Sequence, residues 1–111
     1  MNITIEYTHY FEIQYKRYKK KFHSLESDLK SFIEAFAKTK SVDLANGYHK
    51  YRLAIKSKNS GKSSGFRVLS FEVIIAENQK KATFITLFDK SERDSISKSE
   101  LEDILKSEGL I

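Results

Sequence analysis

The chain has 111 residues, with 20 Lys and Arg against 15 Asp and Glu, a net charge of +5, and no cysteine. That length suits a single domain, residues 1–111, built around one core, and the lack of cysteine excludes disulfides, thiolate chemistry and cysteine-based zinc sites. The basic balance favours polyanionic partners, namely RNA, DNA or acidic proteins.

Residues Ile3, Ile5 and Tyr7 alternate with Thr4 and Glu6, the period-two pattern of a half-buried first strand. From Phe11 the period changes. Phe11, Tyr15, Tyr18 and Phe22 recur at helical spacing and share one stripe, with Lys16, Arg17, Lys19, Lys20 and Lys21 on the other face. Those cations could touch RNA, but opposite an aromatic stripe they read first as the wet side of a helix. Ser24 is placed to cap a second helix whose apolar residues are Leu25, Leu29, Phe32, Ile33 and Phe36. The two helices form a hairpin, and their apolar stripes need a sheet to cover.

After the Asn46-Gly47 turn signal, the stretch 48–57 reads as a strand with Tyr51, Leu53 and Ile55 on one face and Lys50, Arg52, Ala54 and Lys56 on the other. The Ser-, Gly- and Lys-rich stretch 59–65 reads as a mobile loop. Phe66 to Ala76 is apolar on both faces, as in a central strand, and a turn at 77–81 leads to a third β-rich run, 82–88. Ser97 and Glu100 form an S-x-x-E capping box ahead of Leu101, Ile104 and Leu105, with Gly109 where a last helix would stop. The expected order is β, α, α, β, β, β, α.

Charge is distributed unevenly along this order. Between Leu44 and Phe71 lie Lys50, Arg52, Lys56, Lys58, Lys62 and Arg67, with no acidic residue. Cations at alternate positions of a strand make a track for phosphates; the plainer reading is a solvated strand face. Arg67 follows Gly65 into the central strand, where a guanidinium suits bidentate phosphate contact, or else holds a carboxylate such as Glu72. Asp89, Lys90 and Glu92 end the last strand and, taken alone, read as an exposed turn. Histidines 9, 23 and 49 show no paired spacing, so no metal site is expected, and no nucleophilic triad or P-loop occurs. Met1 to Tyr10 has no basic region followed by an apolar run, and no stretch nears the roughly 20 apolar residues of a membrane span. A cytoplasmic protein without membrane contact is expected.

Three segments together resemble toxins of the RelE/ParE superfamily: the basic run from Tyr51 to Lys56, the Gly61-Lys-Ser-Ser-Gly-Phe-Arg67 element with its apolar strand, and Phe88-Asp-Lys90-Ser-Glu before a short helix. The HigB-like branch is the most similar. The resemblance implies an α+β, RelE-like fold, with an N-terminal strand, a helical hairpin on a small, mostly antiparallel sheet and a short C-terminal helix. It implies the toxin of a type II toxin–antitoxin pair, held by a cognate DNA-binding antitoxin and cleaving mRNA on the ribosome without a metal or other cofactor. Carried over by position, Arg52, Lys56, Arg67 and Lys90 are the catalytic candidates, and Lys50, Lys58 and Lys62 would bind RNA. An ordinary lysine is protonated at neutral pH and serves as a base only where burial or neighbouring cations lower its pKa. Two departures stand out: Ala54 replaces a second lysine found in some relatives, and no His or Tyr follows Tyr51. The alternatives are a ParE-like toxin that inhibits DNA gyrase without chemistry, and an inactive RNA-binding relative.

Overall fold

The alternating N-terminal run forms β1 (Asn2–Tyr7), and the chain turns into α1 (His9–Lys19) at Thr8, in a computed structural model that describes residues 1–58 and 65–111. Thr8 is extended (φ −74°, ψ 159°), and its hydroxyl accepts the Phe11 N–H at 2.8 Å while donating to the Ile85 carbonyl at 2.7 Å. Helix α2 (Leu25–Glu34) completes the hairpin. Phe11, Tyr18, Phe22, Leu25, Leu29 and Phe32 are all buried, as their spacing requires.

Ser24 does not act as the expected side-chain cap. Its backbone is already helical (φ −86°, ψ −5°), and its hydroxyl donates to Asp28 Oδ2 at 2.6 Å and accepts the Ser57 N–H at 2.8 Å. The residue therefore ties the hairpin to the segment beyond the next strands. A short 3-10 turn, Phe36–Lys38, follows and buries Phe36.

A two-residue strand absent from the expected order, β2 (Val42–Asp43), pairs antiparallel with β3 (Tyr48–Leu53). The connection places Ala45, Asn46 and Gly47 at φ 72°, 56° and 87°. At Gly47 a Cβ would also lie 3.0 Å from the Glu72 carbonyl oxygen, so both conformation and space favour glycine. Strand β3 stops at Leu53, short of the expected Ser57, because the chain bends to bury Ile55 and to place the Lys56 N–H 2.9 Å from Asp28 Oδ2. The expected loop at 59–65 lies, except for Gly65, outside the described residues.

Strands β4 (Phe66–Ala76) and β5 (Gln79–Asp89) form a long antiparallel pair around Asn78, which adopts φ 63°. Strand β5 starts before the expected Ala82 because Gln79, Lys80 and Lys81 already pair with both β4 and β1. The sheet runs β1-β5-β4-β3-β2, with β1 parallel to β5 and the other pairs antiparallel. One irregularity matters for the site. Leu69 pairs with Thr86 while Ser70 pairs with Phe84, which leaves Ile85 as an extra residue in β5.

The sheet divides the interior in two. Beneath the hairpin lie Tyr51, Leu53, Phe66, Val68, Ala82, Phe84 and Leu87. On the opposite face Tyr48, Leu69, Ile85 and Phe88 pack under Leu101 and Leu105 of α3 (Lys98–Ser107). Helix α3 begins with the expected capping box, in which the Glu100 N–H donates to Ser97 Oγ at 3.1 Å. At its far end Glu108 accepts the His9 and Tyr10 N–H groups at 2.7 and 3.0 Å, placing a carboxylate on the positive end of α1. Among the described residues no helix is long and apolar enough to cross a membrane.

Candidate functional site: a cationic cleft on the sheet

Arg52 and Arg67 are directly opposed across β3 and β4, so their side chains share one face of the sheet. Lys50 lies two residues from Arg52 on that same face. Phe88 is the partner of Arg67 on the other side, and Lys90 follows two residues later, its N–H donating to the Gly65 carbonyl at 3.1 Å. This is the face away from the hairpin, beyond the part covered by α3. Val42, Lys50, Tyr51, Arg52, Arg67 and Lys90 line an open cleft of about 340 Å³ there.

Glycine makes the close approach of these strands possible. A Cβ at Gly65 would sit 2.9 Å from the Leu53 carbonyl oxygen, so a larger residue would push the start of β4 away from the end of β3. Two residues later Arg67 is only 7% exposed, and its guanidinium donates to the Phe66 carbonyl at 3.2 Å. Burial first, and then the charge of Arg52, hold the Arg67 guanidinium below its usual range, although an arginine remains cationic in water near neutrality.

Among the described residues no carboxylate pairs with Lys50, Arg52 or Arg67. Like charges opposed across a sheet destabilise it, so the pairing marks a place where folding has not been optimised for its own sake. The competing reading of Arg67, an ion pair with Glu72, does not hold. Glu72 is an odd number of positions away on β4 and turns to the hairpin side. There it accepts the Tyr51 and Ser70 hydroxyls, each at 2.5 Å, and pairs with Lys80 at 2.6 Å. Burial pushes its carboxyl up, but Lys80, Ser70 and Tyr51 together bring it below the usual range. Tyr51, buried and beside that carboxylate, is pushed strongly up.

The other cations nominated from the sequence lie elsewhere. Lys56 is exposed just beyond β3, with its backbone anchored to the hairpin through Asp28, and does not line the cleft. Lys58 lies on the hairpin side, where it pairs with the buried Asp89 and approaches the Phe22 and Phe66 rings at 6.0 Å. Lys62 lies outside the described residues. His49 Nδ1 is 3.0 Å from Ser41 Oγ, and among the described residues no group of His, Asp and Glu is arranged to hold a metal.

The turn after β5 is more constrained than its composition suggests. Asp89 is 2% exposed; burial raises its carboxyl, but Lys58 and Ser91 outweigh this and leave it below the usual range. Glu92 accepts from Arg17 at 2.9 Å and from the Tyr18 hydroxyl at 3.0 Å, and the Arg17 contact holds its carboxyl low. Lys90, between them, donates to Asp94 Oδ1 at 2.6 Å. The sequence names these charges but not their pairing, because Lys58, Arg17 and Tyr18 are brought in from other parts of the chain.

A five-stranded mixed sheet with a helical hairpin on one face and a cationic cleft on the other defines the architecture of a small α+β protein with one polyanion-suited surface. Residues 9–109 match the family model described as RelE toxin of the RelE / RelB toxin-antitoxin system, and the chain belongs to that family. It is accordingly the toxin of a toxin–antitoxin pair, with an antitoxin as its partner. No match to this chain was found among curated proteins.

Proposed function

We propose that this toxin, a member of the HigB-like branch, is a ribosome-dependent mRNA endonuclease that works without a metal. The observation that carries the reading is the Arg52–Arg67 cross-strand pair on an open face, flanked by Lys50 and Lys90, with no carboxylate paired to either arginine among the described residues. A phosphodiester brings the negative charge that this arrangement lacks.

In the reaction the ribose 2′-oxygen attacks the adjacent phosphorus. The O2′–P bond forms, the P–O5′ bond breaks, and the products are a 2′,3′-cyclic phosphate and a 5′-hydroxyl. Charge grows on the non-bridging oxygens as the phosphorus becomes five-coordinate, and fixed cations stabilise it most where water is partly excluded. In this reading Arg67, largely buried and held by the Phe66 carbonyl, receives two of those oxygens. Arg52 adds a second charge from the exposed side. Lys90, as an ammonium, donates to the leaving O5′, and Lys50 holds a neighbouring phosphate. Proton removal from the 2′-hydroxyl falls to a group that the ribosome or the mRNA supplies, because Lys56 does not line the cleft.

Cell-free translation followed by mapping of mRNA ends tests this. The parent should cut inside codons and Arg67→Ala should not, with its circular dichroism unchanged. Intact mRNA together with gyrase-linked DNA breaks would replace this reading with the ParE-like one; intact mRNA that still binds the protein would indicate an inactive RNA-binding relative.

A further inference from the structure

One cation of the cleft is already occupied by the chain itself. Lys90 Nζ lies 2.6 Å from Asp94 Oδ1 and 2.8 Å from the Asp94 carbonyl oxygen. An ammonium has three N–H donors, so a single residue takes two of them. The neighbours of Asp94 put it there. Glu92 is held by Arg17 and the Tyr18 hydroxyl, while Arg93 is held by the Ser95 carbonyl at 3.0 Å and by Glu100 at 3.0 Å. With Glu92 and Arg93 pinned just before it and the Ser95 carbonyl engaged just after it, Asp94 is presented to Lys90.

The Asp94 side chain is nonetheless 94% exposed, whereas that of Lys90 is 30% exposed. Water can replace the carboxylate without any packing being lost, and so can another anion. Lys90, fixed by its own N–H on the Gly65 carbonyl, stays at the cleft when the carboxylate leaves. The Lys90 hydrogen bond keeps the Asp94 carboxyl below its usual range, with a smaller contribution from Lys50, so the group is charged at neutral pH.

We propose that Asp94 is an internal stand-in for one substrate phosphate, occupying Lys90 in the free toxin and having to be displaced by RNA before the cleft is fully engaged. This rests on the RNA-binding reading of the cleft. Asp94 thereby modestly weakens the capture of RNA by the isolated protein, a penalty that a strand held at high local concentration by a larger particle readily overcomes.

The test is a double-mutant cycle read by RNA affinity. The probe is a short single-stranded RNA with 2′-O-methyl riboses, which cannot be cut. Asp94→Asn should tighten its dissociation constant roughly threefold, the scale of one exposed ion pair, and the gain should vanish when Lys90 is alanine. Asp103→Asn, the same charge change at an exposed position of α3 outside the cleft lining, should give a clearly smaller gain. An equal gain from Asp103→Asn, or a gain that persists in Lys90→Ala, would show only a general charge effect and overturn the proposal. Weaker binding by Asp94→Asn would also overturn it and make Asp94 a positioning residue for Lys90. Arg67→Ala, measured alongside, separates the two levels: if it binds as the parent does, the RNA reading of the cleft fails and takes this inference with it.

Discussion

Lys58 and Asp89 form an ion pair on the hairpin side of the sheet, with side chains 13% and 3% exposed, directly behind the strand end that carries Lys90. Asp89 also accepts the Ser91 N–H at 3.0 Å and its hydroxyl at 2.8 Å, so a single carboxylate organises the turn beneath the cleft. Asp89→Asn keeps the shape but removes the charge facing Lys58. Breaking a buried pair from one side costs about 3 kcal/mol, and urea unfolding should show a loss of that order. A change under about 1 kcal/mol would mean that water reaches the pair and screens it.

Two of the buried carboxylates, Asp89 and Glu72, contribute to the response to acid. Asp89 and Glu72 both titrate lower in the fold than in the unfolded chain, because burial is outweighed by Lys58 and Ser91 in one case and by Lys80, Ser70 and Tyr51 in the other. Their contribution is complete above the ordinary carboxylate value of roughly 4 and is lost as pH falls from there through the depressed folded values. The urea midpoint should therefore hold steady from neutral pH down to the ordinary carboxylate range and fall below it. Glu72→Gln should lower the plateau and flatten the fall; a parallel fall in parent and variant would remove Glu72 from the account.

The sequence made the elements legible where one physical signal dominated. The aromatic stripe of α1, the apolar run of β4 and the capping box of α3 each stand where their pattern places them. It missed what depends on pairing. Strand β2 has only Val42 and Asp43 and exists because β3 lies beside it. The end of β3 is set by Asp28 on a distant helix, and the positions of Lys56 and Lys58 follow from that bend rather than from alternation. Arg52, Arg67 and Lys90 are nominated by the family resemblance, and cross-strand pairing and a strand end bring them to one face, but the Asp94 contact to Lys90 depends on a loop anchored by α1 and α3.

The opposed arginines should reveal a conflict between stability and function. Arg52→Ala removes an exposed charge from beside Arg67, with no carboxylate left unpaired among the described residues. Relief of a like-charge cross-strand pair is worth on the order of 0.5 kcal/mol, so the thermal midpoint should rise slightly while, under the proposed function, RNA affinity and cleavage both fall. The rise should shrink at high salt, where repulsion is screened. A lower midpoint would show that Arg52 contributes packing that its exposure does not suggest.

Thr8 reaches the site through the bulge in β5. The extra residue, Ile85, reverses the alternation of the strand, so that Leu87 and Asp89 face the hairpin while Phe88 faces α3 and Lys90 reaches the cleft. A regular strand would exchange the two sets. The Thr8 hydroxyl donates to the Ile85 carbonyl at 2.7 Å and caps α1 through Phe11, from a position 1% exposed. Thr8→Val keeps the shape, removes the cap and leaves a buried carbonyl without its donor, at a cost of about 2 kcal/mol. Thr8→Ser, which keeps the hydroxyl, should lose well under half of that. Hydrogen exchange from Ile85 to Phe88 should rise in the valine variant beyond what its global stability accounts for, and under the proposed function cleavage should fall with it. Unchanged protection there, together with full loss of stability, would confine the role of Thr8 to the start of α1.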